Sequence, residues 1–419
     1  MRLPVPLRRR ASFWLLLPAL PLLVIVAQLS SPVSVVDWWT WIVAHSVLLV
    51  IVPAAVASTG AALDAARLRA RREENTLAVR SPIRVLADCL WPSYAAGVLA
   101  QIAAIAIVTV SASGGGGALP WGLLGALLAM LFFHTTLGLV CGSVFRPVFA
   151  IPAAIAASYI WLGLTGVTDW FELRHLAGLV LETCCFYDQQ PATDSLIAVS
   201  VFSIGAGAGL ILFASIGLRI PVVSVRTAAV TGGVLIVGSF VAGLAAAQGL
   251  GPSAAEARDD RDLVCTEGSV TVCLYPEQHD SDVVSSVQTM VERVRDAGVP
   301  LATRVVAARE PQEDGTLPFG YVPGMTDEQI AVSLASAIPD GTCETDDAAR
   351  SLARTAAQDT AYGWLEGTML GALGSVISAD DPESYLDVLV TRSPDAQAAW
   401  INAAIASLGD CSIAPPGMP

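Results

Sequence analysis

The sequence predicts an all-α polytopic membrane domain of about seven transmembrane helices, followed by a small α+β extracytoplasmic domain that is helix-rich in its second half. Three observations lead there. Seven stretches before residue 251 are long and apolar enough to cross a hydrocarbon core of ~30 Å. The 419-residue chain has no Lys, and the Arg residues before residue 251 fall almost entirely on one side of those stretches. The charge also divides at the same place: residues 1–250 carry 14 Arg against 10 Asp plus Glu, a net of +4, whereas residues 251–419 carry 9 Arg against 27 acids, a net of −18.

The Arg pattern sets the orientation. With a cytoplasmic N-terminus, 13 of the 14 Arg before residue 251 lie inside and only Arg174 lies in an outer loop. Seven crossings then put residues 251–419 outside the cell membrane, in an oxidising space. The acidity of that tail argues against nucleic-acid binding. Its 169 residues suffice for a core of its own.

The spans are expected at about residues 13–29, 36–58, 83–110, 119–144, 148–167, 195–218 and 227–250. The first follows Arg8-Arg9-Arg10 and has the outline of a secretory signal. No clean small-x-small cleavage site stands near its outer end, so it is read as retained. The second opens with Trp38, Trp39 and Trp41, placed at the headgroup level of an outer interface. The run Gly114-Gly115-Gly116-Gly117 after the third span is a loop. A phosphate-binding reading fails because no Lys follows. Gly138 with Gly142, and Gly205 with Gly209, stand four apart, a spacing that lets helix backbones approach closely, although Gly is abundant in these segments anyway.

Ionisable groups within the spans are His45, Asp88 and His134. Such groups are costly in a bilayer and raise the question of function. No two of them share a metal-ligand spacing on one helix, so they are read as packing or interface residues, and no metal, cofactor or catalytic site is assigned to them. Cys89 and Cys141 read as small apolar packing residues. The other six Cys fall on the oxidising side. Of these, Cys265 and Cys273 are near enough across a hairpin to bridge, which leaves Cys343 with Cys411. Other pairings remain open, including one to Cys184 or Cys185.

Between the second and third spans, residues 60–84 form the longest cytoplasmic connection. Its Ala, Leu and Arg favour a helix continuing from the second span. Asn75 is a plausible stop, and Ser81-Pro82 reads as an N-cap with Pro at the first helical position. The stretch Arg71-Arg72-Glu73-Glu74-Asn75-Thr76-Leu77 with Ser81-Pro82 resembles a segment of the permease subunits of ATP-binding cassette (ABC) exporters of the second type, the drug, antibiotic and polysaccharide export class. That family's pattern is a basic residue, Arg, Glu, any residue, Gly, Thr and Leu, then Ser or Thr with Pro before the next span. Asn75 stands where the family usually has Gly. The resemblance implies a permease-like subunit driven by a separate ATP-binding subunit on the cytoplasmic side. The docking residues would be Arg71, Arg72, Glu73, Glu74, Asn75 and Thr76, and the pathway would lie in a homodimer or heterodimer of permease chains. The seventh span and the outer domain depart from the usual six-span family plan.

In the tail, apolar runs at 263–265 and 270–275 flank a turn at 266–269 and predict a hairpin. Helical periodicity covers 282–297, through Val283, Val287, Met290, Val291 and Val294. A strand follows at 300–307, with helices at 327–337, 346–373, 382–391 and 394–408. His279, Glu277 and Asp280 invite a metal site or a carboxylate pair, but no second His or zincin spacing accompanies them, and the domain is read as a binding or gating module. Two other readings stand beside the permease: a membrane-anchored sensor or ligand-binding protein, and a membrane-bound hydrolase.

Overall fold

The computed structural model describes residues 11–29, 36–70, 81–112, 115–220, 222–308, 316–337, 348–373 and 385–417. Two compact units divide at Met1–Ala257 and Arg258–Pro419. The boundary lies seven residues beyond the one read from the sequence, because residues 255–257 pair back into the first unit.

The first unit is helical: α1 (Ala11–Leu29), α2 (Trp39–His45), α3 (Ile51–Ala70), α4 (Pro82–Ser111), α5 (Trp121–Val144), α6 (Pro147–Gly166), the short α7 (Phe171–Ala177), α8 (Thr193–Gly217) and α9 (Val225–Ala246). A 3₁₀ turn over Ser46–Val50 joins α2 to α3, so the two form one run, Trp39–Ala70. Among the described residues, seven such runs are long and apolar enough to cross a membrane, the mark of a multi-pass membrane protein.

Beyond the span expected to end at residue 58, the helix continues to Ala70, as the Ala, Leu and Arg of the following segment favour. Ala61, Ala62, Ala65 and Ala66 are buried, Ala61 and Ala65 in one cluster with Leu139, Ala62 and Ala66 in another with Cys141, Ala150 and Ala154. Small residues carry little hydropathy signal, yet here they permit close helix contact. The 3₁₀ turn has a local cause: Pro53 has no N–H to give the carbonyl of Leu49, so the α-ladder is interrupted there.

Gly138 and Gly142 form a seam with α3. A Cβ at Gly138 would run into the Ser58 backbone, and one at Gly142 into the Ala62 carbonyl. The two pairs advance together, so α3 and α5 run parallel. Gly209 similarly faces the Gly232 carbonyl on α9, and Gly205 faces Ser239. Both four-residue glycine spacings therefore serve close approach.

A two-stranded antiparallel pair, β1 (Gln189–Pro191) with β2 (Ala255–Ala257), ties the segment after α9 to the loop before α8. Neither strand was anticipated from sequence.

The second unit holds a four-stranded mixed sheet in the order β3 (Val264–Thr266), β4 (Thr271–Leu274), β5 (Arg304–Val306) and β6 (Thr316–Pro318). The β3–β4 hairpin is antiparallel, and β4–β5 and β5–β6 are parallel. The helix α10 (Ser281–Asp296) crosses from β4 to β5, and its Val283, Val287, Met290, Val291 and Val294 are buried as the periodicity predicts. Helices α11 (Asp327–Ala335), α12 (Ala348–Leu370), α13 (Tyr385–Val390) and α14 (Pro394–Gly409) complete the unit around Trp364, Phe319 and Ile401. Pro318 lies on the edge strand β6, which the sequence reading left out.

Candidate functional site

Two ends of the helical bundle and one cluster in the second unit hold the polar chemistry. At the Ala70 end of α3, Arg69 donates to the carbonyls of Val144, in a short bond, and of Phe145 at 3.3 Å. These carbonyls belong to the C-terminus of α5, where helical acceptors lack intrahelical partners and the macrodipole favours a cation. Arg67 stands 3.8 Å from Asp64 one turn earlier. The docking candidates Arg71, Arg72, Glu73, Glu74, Asn75 and Thr76 lie outside the described residues. Beyond them, Ser81 occupies the N-cap position of α4 with Pro82 in the first turn, but the Ser81 side chain makes no capping bond.

The intramembrane candidates do not assemble. His45 stacks on Trp41 with ring centroids 4.7 Å apart. His134 is buried one turn before Gly138, so the α3–α5 register sets it opposite the region of Ala54. Nine residues separate that position from His45, about 14 Å along a helix axis. Asp88 is exposed on α4. The sequence reading missed a polar contact between helices: Gln101 on α4 donates to Ser46 Oγ at 3.1 Å, beside the 3₁₀ turn. The intervening apolar residues hide such a pairing, since the two partners are far apart in the chain.

At the opposite end of the bundle, the segment between α6 and α8 folds into a cap. Trp38 stacks on Tyr187 at 5.7 Å, and the Tyr187 hydroxyl donates to the Asp37 carbonyl at 3.0 Å. Trp38 and Trp41 are buried by the protein's own residues. Cys184 and Cys185, both buried, stand side by side in the cap with their sulfurs close enough to pair.

His175 on α7 is fully buried at the base of this cap. Its Nδ1 lies 2.8 Å from Ser195 Oγ, and its Nε2 lies 3.0 Å from the Gly251 carbonyl. A carbonyl only accepts, so Nε2 carries the proton and Nδ1 accepts from Ser195. One imidazole therefore links α7, the start of α8 and the segment after α9. Burial pushes its pKa below the usual imidazole value and the Arg174 charge adds to this, while the Gly251 carbonyl and Glu172 pull the other way. The unfolded chain therefore binds the proton more readily than the folded one. The stabilisation is complete above the ordinary value of about 6.5 and declines as pH falls below it. Melting of the full chain should show a decline below that pH, and His175→Gln, which keeps a donor to Gly251, should flatten it. An unchanged profile in the variant would assign the acid sensitivity to other groups.

In the second unit, Cys265 and Cys273 are bridged, as the hairpin suggests. Cys411 is also disulfide-bonded. Cys343, the partner expected for it, lies outside the described residues. The suspected carboxylate pair has structural duties. Arg258 grips Glu277 in a two-pronged ion pair at 3.0 and 3.2 Å, reaches Asp262 at 3.2 Å, and lies 4.6 Å over the Tyr275 ring. Asp280 caps α10 by accepting from the Asp282 amide at 3.0 Å. Glu277 is thus engaged by a guanidinium and Asp280 by a helix amide. A shallow depression of about 530 Å³ lies over Glu277, His279, Asp280 and Tyr321.

A family described as a domain of unknown function, DUF7224, matches residues 272–411, which lie within the second unit. No curated protein and no solved structure matches the chain.

Proposed function

We propose that this chain is the permease-like membrane subunit of an ABC-type exporter, worked by a separate cytoplasmic ATPase that docks on residues 60–84. Two such chains, or this one with a related partner, would enclose the pathway. One observation carries the reading: α3 runs to Ala70, is held along α5 by the Gly138–Gly142 seam, and is pinned by Arg69 to the carbonyl end of α5. A displacement applied just beyond Ala70 would thus pass into two spans at once rather than being absorbed by a slack loop. The motif Arg72-Glu73-Glu74-Asn75-Thr76 supplies charged groups for the partner at that point.

The test is co-purification with an ATPase encoded beside this gene. Glu73→Arg with Glu74→Arg should lower capture about tenfold or more, since reversed charges oppose the partner's surface. The amount of the chain in the membrane should stay unchanged. Reporter fusions active only in the cytoplasm should work at Ala70 and stay silent at Gly417. Equal capture by the double variant, or no ATPase with the wild-type chain, removes this reading and leaves the membrane-anchored sensor.

A further inference from the structure

We infer that the first unit holds one hydrocarbon chain of a membrane phospholipid in an aromatic cavity between α5, α6, α8 and α9. The cavity measures about 340 Å³, within the range of small-ligand sites. Phe133, Trp161, Phe202 and Phe240 form much of its wall, Ala206 lies against it, and Val237 borders it. The rings are mutually packed: Trp161 and Phe202 stack at 4.9 Å, Phe133 meets Phe202 at 5.2 Å, and Phe240 meets Phe202 at 6.1 Å. Its wall is hydrocarbon throughout, so water entering it would find no hydrogen-bond partner.

The surroundings identify the occupant. Val237 is 62% exposed on α9, a helix long and apolar enough to cross the bilayer, so the cavity borders the medium of acyl chains. Depth agrees with this. Along their helices, Trp161 and Phe240 stand about 8–9 Å from the end that carries the cap, Phe202 about 14 Å and Phe133 about 18 Å. Three of the four rings lie within one half of a ~30 Å hydrocarbon core, and Phe133 lies just past its middle. A single leaflet's chain therefore reaches most of the cavity, whereas a polar solute would meet no partner there. The inference depends on residence in a bilayer and not on the exporter reading.

The experiment is native mass spectrometry of the full chain, extracted from phosphatidylcholine vesicles into detergent. Membrane integration is checked separately by resistance to alkaline washing. The wild-type chain should retain one phosphatidylcholine. Ala206→Leu fills the cavity and should cut that occupancy about fivefold or more. Gly233→Leu, on the same helix as Val237 but with open space around it, should leave it unchanged. Thermal unfolding identifies any variant that fails to fold, in which case Val237→Trp, blocking the mouth from the exposed side, replaces Ala206→Leu. A wild-type chain that integrates but carries no lipid overturns the inference. So does equal retention in the filled or blocked variant, which would mean loosely associated surrounding lipid.

Discussion

Gly138→Leu is expected to remove most of the folded chain from the membrane. The new side chain meets the Ser58 backbone on α3, and backbone cannot rotate aside as a flexible side chain does. Relief requires α3 to separate from α5, which also opens the Gly142–Ala62 contact and draws Arg69 from the Val144 and Phe145 carbonyls. Overpacking of this kind costs about 3 kcal/mol or more when the neighbour cannot yield. Gly125→Leu is the matched control, lying on the same helix with nothing within 4 Å of the added Cβ. The yield of monodisperse protein in detergent separates the two. Similar yields from both variants would dispose of the seam.

The second large effect is expected in the other unit. Arg258→Ala removes the ionic grip on Glu277 while leaving that carboxylate 13% exposed. The loss of a largely desolvated ion pair, with the Tyr275 ring contact, should destabilise the unit by about 2–4 kcal/mol. Hydrogen exchange of amides in β4 reports it directly, because that strand lies at the centre of the sheet. Adding Glu277→Leu should restore part of the loss by removing the orphaned charge. No change in exchange on Arg258→Ala would mean that the pair contributes nothing to the unit.

The sequence discloses those parts of the structure in which one period dominates a long window. Each apolar run corresponds to a long helix, and the Val283–Val294 stripe on α10 is buried as its spacing implies. Short elements carry no such window: β1 and β2 have three residues each and α7 seven. The extension of α3 packing to Ala66 was invisible for a different reason. Alanine is only mildly apolar, and its value here is its smallness beside Gly142 and Ala150. Pro53 did offer a local clue to the 3₁₀ turn at Ser46–Val50. The candidate sites were less legible than the fold. His175 gains its place from Ser195 and Gly251, 20 and 76 residues away. Glu277 looked available until Arg258, nineteen residues earlier, proved to hold it.

The short sheet of the second unit bears on how crowded copies behave. A sheet edge offers unpaired amides and carbonyls on which a neighbouring molecule can add a strand, and repeated addition makes a fibre. Here β3 and β6 flank the sheet with three residues each, β3 is stapled to β4 through Cys265–Cys273, and β6 ends in Pro318, which has no amide proton to offer. Stacking from either side would gain few hydrogen bonds, and on the β6 side it would meet the proline. Many copies can therefore stand close together without polymerising through these edges.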